Sequence, residues 1–326
     1  MNARRLIPTA TLAGAVTLGL VALSACSSSD AATKKSGDKL AVTASFYPMQ
    51  FLAERIGGDH VSVTTLTKPG VEPHDLELSP RQAAQLGEAD VILYLKGIQP
   101  AVDEAITQSG VKNTVDATSL TTLEKHGTEV GHSHDDGHAG EESHPAGEEA
   151  SPDGKDPHIW LDPVKYAEVA KGVGASLEKA DPDNSATYRK NTDALLKQLG
   201  GLDTAFKQGL ADTTTKTFIT THAAFGYLAE RYGLTQEAIA GLDPESEPTP
   251  ARVKELETIA EHDKVGTVFF ETLASDKTAK TIAADSGLKT DVLDPLEGIT
   301  DKSKGDDYIE VMNSNLAALR KALGAK

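Results

Sequence analysis

The sequence predicts an α/β protein of two lobes, each built on a mostly parallel sheet, joined by a long connecting helix. Short runs rich in β-branched residues alternate with helical patterns, as in successive βα units. These runs fall into two clusters, residues 40–46, 61–66 and 91–95 and then residues 216–220, 265–270 and 290–293. The region between the clusters is mostly helical in pattern, which separates one sheet from the other.

The connecting region contains two helix starts. Asp162-Pro163 places a capping side chain before a proline at the first helical position, and Asp181-Pro182 begins a second helix. From residue 183 to about 210, apolar residues recur at intervals of three, four or seven, which makes one helix face apolar. Gly200-Gly201 lies inside this stretch and predicts a bend or break, because each glycine disfavours the helix by about 1 kcal/mol relative to alanine.

The amino terminus has the pattern of an export signal. Arg4 and Arg5 precede an apolar stretch that ends in Leu23-Ser24-Ala25-Cys26. A transmembrane anchor is the alternative, but Pro, Gly and Thr dilute this stretch below the roughly 20 apolar residues that a span needs. The Leu-Ser-Ala-Cys sequence also resembles the bacterial lipobox, so Cys26 is expected to carry lipid.

These signals predict five segments. They are a signal peptide (1–25), a flexible tether (26–38), an amino-terminal α/β lobe (39–182) with a disordered His- and acid-rich loop (126–156), a linking helix (183–211) and a carboxy-terminal α/β lobe (212–326). The chain contains one cysteine, so no internal disulfide holds the fold.

The net charge of −17 argues against nucleic acid or an anionic lipid surface as a partner. Residues 126–157 hold nine carboxylates and one lysine, a net of −8, together with five of the ten histidines. We interpret His132, His134, His138 and His144, with His126 at the start of this tract, as a mobile metal-collecting arm. The alternative is a disordered acidic insert without a metal role.

The other five histidines occur in structured surroundings. His60 and His262 follow charged residues at apparent loop or helix ends, so we expect them to be solvated. His74 and His222 follow predicted strands, and ligands of open α/β sheets bind outside the carboxyl ends of the strands. His158 stands in an Asp-Pro-His-Ile-Trp-Leu-Asp-Pro segment, and Asp294 ends the last predicted strand. Each residue alone has an ordinary structural explanation, but two candidates from each lobe together predict a shared site.

Four features resemble the metal-binding lipoproteins that serve bacterial zinc and manganese ABC importers. They are Pro73-His74-Asp75, the segment 156–163, the His-rich acidic tract, and Thr-His-Ala-Ala-Phe-Gly-Tyr-Leu at 221–228. The resemblance covers essentially the whole mature chain. It implies one metal ion between two helix-joined lobes, with His74 and His158 from the first and His222 and Asp294 from the second.

Ligand chemistry favours zinc as the bound cargo, because imidazole suits zinc whereas carboxylate and carbonyl oxygen suit manganese. The oxygen ligand is open at this point. Asp294 ranks first, water second and Glu271 third, with Glu271 expected as a buried acid outside the ligand set.

The resemblance implies a binding protein that delivers Zn²⁺ to an ABC permease and its ATPase from the outer face of the membrane. We expect a monomer without enzymatic activity. The alternatives are a manganese-binding importer component, a metal-dependent adhesin and a secreted zinc hydrolase. The chain lacks the His-Glu-x-x-His and Gly-x-Ser-x-Gly motifs, which weakens the hydrolase alternative.

Overall fold

The computed structural model describes residues 39–127, 129–130 and 154–326. Cys26 and the tract histidines His132, His134, His138 and His144 lie outside these ranges, so their predicted roles stay predictions. Residues 39–326 belong to one compact unit, which contains both sheets.

The first sheet has four parallel strands in the order β2-β1-β3-β4. They are β1 (Leu40–Ala44), β2 (Val61–Thr65), β3 (Val91–Tyr94) and β4 (Thr114–Asp116). The sequence predicts the first three, of which β1 and β3 are largely buried and β2 is buried at Val61. It misses β4, a three-residue strand whose residues are all half-buried.

The second sheet has the order β5-β7-β6-β8-β9, and the short edge strand β5 is the antiparallel one. The strands are β5 (Glu129–Val130), β6 (Thr217–Thr220), β7 (Thr235–Ala238), β8 (Thr267–Phe270) and β9 (Lys289–Val292). The prediction of an α/β fold with two mostly parallel sheets is confirmed.

Nine α-helices cover the sheets in the described ranges. They are α1 (Tyr47–Gly57), α2 (Pro80–Leu86), α3 (Pro100–Ser109), α4 (Pro163–Ala180), α5 (Ser185–Gly209), α6 (Gly226–Tyr232), α7 (Pro250–His262), α8 (Lys277–Asp285) and α9 (Tyr308–Ala322). Among these described helices, none is both long and apolar enough to cross a membrane.

The two helices of the connecting region begin near their predicted starts. The Asp162 side chain caps α4 by accepting a hydrogen bond from the Val164 amide at 2.8 Å. Helix α5 runs for 25 residues without interruption across Gly200-Gly201, so the predicted break is absent. It packs against α1 on the side of the first sheet and against α9 on the side of the second. The long helix therefore contacts both halves, as predicted.

One hydrophobic core contains residues from both halves of the chain, and Trp160 belongs to it. This side chain is fully buried and packs edge-on against Phe46, with ring centroids 5.1 Å apart. Its indole nitrogen donates to the carbonyl oxygen of Pro295 at 2.7 Å, and its own carbonyl accepts from the hydroxyl of Tyr308 at 2.6 Å. Trp160 thus fixes the segment after His158 against two elements that follow the second sheet.

Candidate metal centre

Three histidines and one glutamate, contributed by both halves of the chain, form one cluster. His74 lies in the loop after β2, His158 just before the short 3₁₀ turn Ile159–Leu161, His222 just after β6, and Glu297 in the turn after β9. One potential ligand atom from each lies within 4.8 Å of the other three. The structure thereby brings together all three predicted histidines.

The Nε2 atoms of the three imidazoles surround one carboxylate oxygen at nearly equal distances. Glu297 Oε1 lies 3.4 Å from His74 Nε2, 3.3 Å from His158 Nε2 and 3.3 Å from His222 Nε2. Ligand atoms at about 2.0–2.1 Å from a tetrahedral zinc ion lie about 3.3–3.4 Å from one another. Three edges of the cluster therefore have the length that a tetrahedral zinc site requires.

Buried polar atoms in the cluster are left for a ligand to satisfy. His158 Nε2, His222 Nε2 and Glu297 Oε2 are buried and make no hydrogen bond of good geometry within the described part of the chain. A buried polar atom without a partner is costly, so groups left in this way in one place point to a bound species. The residues present fit a cation of the size and charge of Zn²⁺.

The orientation of His158 is set by Asp156. One oxygen of this buried carboxylate accepts from His158 Nδ1 at 2.7 Å and from the His158 amide at 2.9 Å. Because a carboxylate can only accept, Nδ1 carries the proton and Nε2 presents its lone pair to the centre. This carboxylate–imidazole pair is the usual support of a zinc-binding histidine.

Glu271 does the same for His222. Its Oε1 lies 2.6 Å from His222 Nδ1 and also accepts from the hydroxyl of Thr221. Gln236 further holds this turn by donating to the carbonyl oxygen of His222 at 3.1 Å. Glu271 is buried and is not among the four clustered residues, so the expectation that it lies outside the ligand set stays a prediction.

His74 is held by its loop rather than by a strand. Its amide donates to Glu72 Oε1 at 3.3 Å, and its side chain is 6% exposed. Burial, with the neighbouring carboxylates of Glu297 and Glu271, raises the pKa of Glu72 to about 10. Glu72 is therefore a buried acid beside the centre, which the sequence pattern does not indicate.

The structure replaces Asp294 with Glu297 as the oxygen ligand candidate. Asp294 is not among the clustered residues, and its side chain accepts from the Leu296 amide at 2.8 Å, from Ser303 Oγ at 2.9 Å and from Thr272 Oγ1 at 3.2 Å. These bonds form a tight turn in which Leu296 takes a positive φ of 59°. Asp294 thus shapes the turn that directs Glu297 into the site.

The charges of the cluster reinforce one another. Burial acts to lower the pKa of His222, but the carboxylates of Glu271 and Glu297 outweigh it and the pKa is raised well above its usual value. The pKa of His158 is raised in the same way by Asp156 and Glu297 against burial. Burial would raise the pKa of Glu297, but the three imidazoles hold it well below its usual range. The site therefore binds positive charge strongly, whether as protons or as a metal ion.

The remaining described histidines lie away from the cluster. His262 is exposed and bonds to its neighbour Asp263 at 2.6 Å. His60 is half-buried with its ring edge-on to Tyr188, so the expectation of full solvation holds better for His262. His126 is anchored in the fold by Asp156 and Glu230, unlike the mobile arm expected for its tract.

Sequence and structure comparisons place this arrangement in a known family. The family model of ZnuA, zinc-uptake complex component A, periplasmic, matches residues 42–322. The chain belongs to this family. The high-affinity zinc uptake system protein ZnuA of Bacillus subtilis is 36% identical over 313 residues, which cover 94% of this chain and 95% of that protein.

Two pneumococcal comparisons agree with the ZnuA family. The zinc-binding lipoprotein AdcA of Streptococcus pneumoniae is 36% identical over 293 residues, and the match covers 88% of this chain but 56% of that protein. The chain therefore spans little more than half the length of AdcA. The Zn(II)-bound ZnuA-like domain of AdcA superposes with a TM-score of 0.70 at 34% identity, covering 87% of this chain and 99% of that domain.

Proposed function

We propose that this protein captures a single Zn²⁺ ion outside the cytoplasm and delivers it to an ABC importer. His74, His158, His222 and Glu297 are the proposed ligands. Membership of the ZnuA family and the zinc-uptake and zinc-binding names of its relatives support this function.

The observation that carries the proposal is the set of three nearly equal distances around Glu297 Oε1. A cluster formed only by ion pairing would orient each imidazole toward the carboxylate along a hydrogen bond. Here two Nε2 atoms lie at 3.3 Å without the geometry of such a bond. One metal ion bound by all four ligand atoms would satisfy them together.

The ligand set favours zinc over manganese. Three imidazoles and one carboxylate suit zinc, whereas manganese prefers a set dominated by oxygen. Asp156 and Glu271 each accept from the Nδ1 of a ligand histidine and so raise its basicity toward the metal.

A carrier is favoured over a zinc hydrolase. Catalytic zinc sites keep three protein ligands and an open position for water, whereas this cluster offers four protein atoms. Glu271, one candidate for a general base, is bonded to His222 Nδ1 and Thr221. We infer that the protein has no enzymatic activity.

The proposed location and partners follow from the sequence. Cys26 would carry the lipid that holds the protein at the outer face of the membrane, and the zinc-loaded form would dock as a monomer on the permease, which works with its ATPase. The acidic net charge of −17 argues against nucleic acid as a partner.

A competition titration tests the proposal. Metal-free protein is titrated with zinc and with manganese against a chelator of known affinity. We expect one tightly bound zinc per chain and binding of manganese weaker by at least about a hundredfold, as the order of divalent-metal affinities predicts. The variant His262→Ala, altered at an exposed histidine, is the control and should bind as the unaltered protein does. Equal affinity for both metals, or the lack of tight zinc binding, would contradict the proposal.

A further inference from the structure

His126 lies at the start of the acidic tract, where its side chain packs closely against the fold. Its side chain is 7% exposed, and its ring stands edge-on to Tyr227 with centroids 4.5 Å apart. A Cβ atom on Gly226 would come within 2.5 Å of the His126 ring. The His126 ring therefore fits because residue 226 is glycine. Packing this close holds the His126 side chain in one position.

Both nitrogens of His126 are used. Nδ1 lies 2.8 Å from Asp156 Oδ2, and Nε2 lies 3.1 Å from Glu230 Oε2. Since carboxylates only accept, both nitrogens donate and the ring is an imidazolium. Burial acts against this charge, but the hydrogen bonds that His126 donates to the two carboxylates outweigh it and raise the pKa of His126. A histidine held in this way has no lone pair left for collecting metal.

Asp156 is shared between His126 and His158. It is fully buried, with Oδ2 bonded to His126 and Oδ1 bonded to the ring and amide of His158. Its own backbone is fixed as well: its amide donates to the Glu124 carbonyl at 3.0 Å, and its carbonyl accepts from the Tyr227 hydroxyl at 2.7 Å. Without His126, Oδ2 would be a buried carboxylate oxygen without a donor, and the carboxylate would be free to rotate away from His158 or to take up a proton.

We propose that His126 is a positioning residue for the zinc site, which holds the Asp156 carboxylate in the orientation that presents His158 Nε2 to the metal. This inference rests on the proposed function and extends it to a side chain that touches no ligand atom of the cluster. It also divides the tract histidines, because His126 serves the site through Asp156 while the others are proposed to collect metal.

The test compares the zinc affinity of the mature chain with that of His126→Phe, which keeps an aromatic ring but removes both donors. Loss of an outer partner of a zinc ligand weakens binding by about 10–100-fold, and we expect the low end, about tenfold, because His126 acts through one intermediate. His126→Gln retains one donor toward Asp156 and should recover most of the affinity. The matched control His262→Phe removes an exposed histidine and should leave the affinity unchanged.

A double-mutant cycle shows whether His126 acts through Asp156. In the Asp156→Asn background, His126→Phe should weaken zinc binding no further. Nitrogen NMR of His158 measures the tautomer of its ring, which should not change if His126 only stabilises the fold. We expect the Nδ1-protonated tautomer in the unaltered protein and a mixture of tautomers in His126→Phe and, more weakly, in His126→Gln.

Two results would overturn the inference. One is wild-type zinc affinity with an unchanged His158 tautomer in His126→Phe. The other is an equal loss of affinity with and without the Asp156 carboxylate. If His126→Phe does not fold, His126→Gln and its NMR spectrum decide the question. Failure of the unaltered protein to bind zinc tightly would instead contradict the proposed function.

Discussion

The two halves of the molecule hold their candidate ligands in different ways. In the second half, His222 follows β6 directly and Glu297 lies in a tight turn after β9, and both side chains are fully buried. In the first half, His74 sits on a longer loop that contains the exposed Val71 and a glycine at positive φ, Gly70. The second half therefore provides a rigid pair of ligands, and His74 is the ligand nearest to solvent.

The largest predicted effect is the loss of zinc affinity in His222→Ala, which should exceed the loss in His74→Ala. Removal of His222 takes away one proposed ligand and leaves Glu271 as a buried carboxylate without its imidazole partner, so zinc affinity should fall by more than about a hundredfold. Removal of His74 should cost several-fold less, because water can reach its place from the loop side. Chelator competition measures both constants. A greater loss for His74→Ala would reverse the proposed difference between the halves.

The pH dependence of zinc binding is the next largest effect. The pKa values of His158 and His222 are raised, so protons compete with zinc from a pH above the usual imidazole value of about 6.5. As the pH falls through these raised values, each ring takes up a proton and affinity decreases. Where both rings titrate, binding releases about two protons and affinity changes by up to about a hundredfold per pH unit.

Calorimetry in buffers of different ionisation enthalpy counts the released protons directly. The lower limit of about pH 5 lies well below the pKa of a free imidazole. Zinc affinity that does not change between about pH 8 and about pH 5 would therefore contradict the assignment of imidazole ligands.

The choice between Glu297 and Asp294 gives a third prediction. Glu297→Gln removes the charge of the proposed oxygen ligand and should weaken zinc binding by at least about tenfold. Asp294→Asn disturbs only the turn that positions Glu297 and should have a smaller effect on affinity. Chelator competition on the two variants measures this difference, and thermal unfolding measures their stability. A larger loss of affinity in Asp294→Asn, without loss of fold, would restore Asp294 as the ligand.

The carboxylate support of the rigid half gives a fourth prediction. Glu271→Gln weakens the bond that fixes the His222 tautomer, and zinc affinity should fall by about tenfold. The matched control is Glu255→Gln, at a half-exposed glutamate that pairs with Arg252 away from the cluster. Competition titration of both variants should show a loss in the first alone. An equal loss in both would assign the effect to general charge rather than to His222.

The smallest effect is expected from the acidic tract. Replacing His132, His134, His138 and His144 by alanine should leave the dissociation constant of the tight site unchanged and remove only weaker, additional zinc binding. Titration beyond one equivalent of zinc separates the two. Loss of the tight site in this variant would contradict the division of the histidines into ligands and collectors.

Sequence patterns predict much of the fold because the responsible signals are local. Six strands are found from their β-branched residues, and the starts of α4 and α5 follow from Asp-Pro pairs. The sequence pattern does not predict strand β7, because this strand contains Gln236 and Glu237. Their polar side chains are buried and form tertiary hydrogen bonds with Thr220 and Arg252. A local sequence pattern does not indicate such bonds.

The three histidines of the candidate site are predictable from local signals, whereas Glu297 is not. His74 and His222 follow recognisable strands, and His158 lies in a distinctive segment. Glu297 is missed because its position depends on the positive φ of Leu296 and on the Trp160 bond to Pro295. An aspartate before proline is a turn signal, and this could have indicated that Asp294 shapes a turn.

The most direct test of the central claim is a crystal structure of the zinc-loaded protein with anomalous diffraction at the zinc edge. The account predicts one zinc ion bound by the Nε2 atoms of His74, His158 and His222 and by a carboxylate oxygen of Glu297, each at about 2.0–2.2 Å. A zinc ion with Asp294 or water in place of Glu297, or one that lacks any of the three imidazoles, would contradict it.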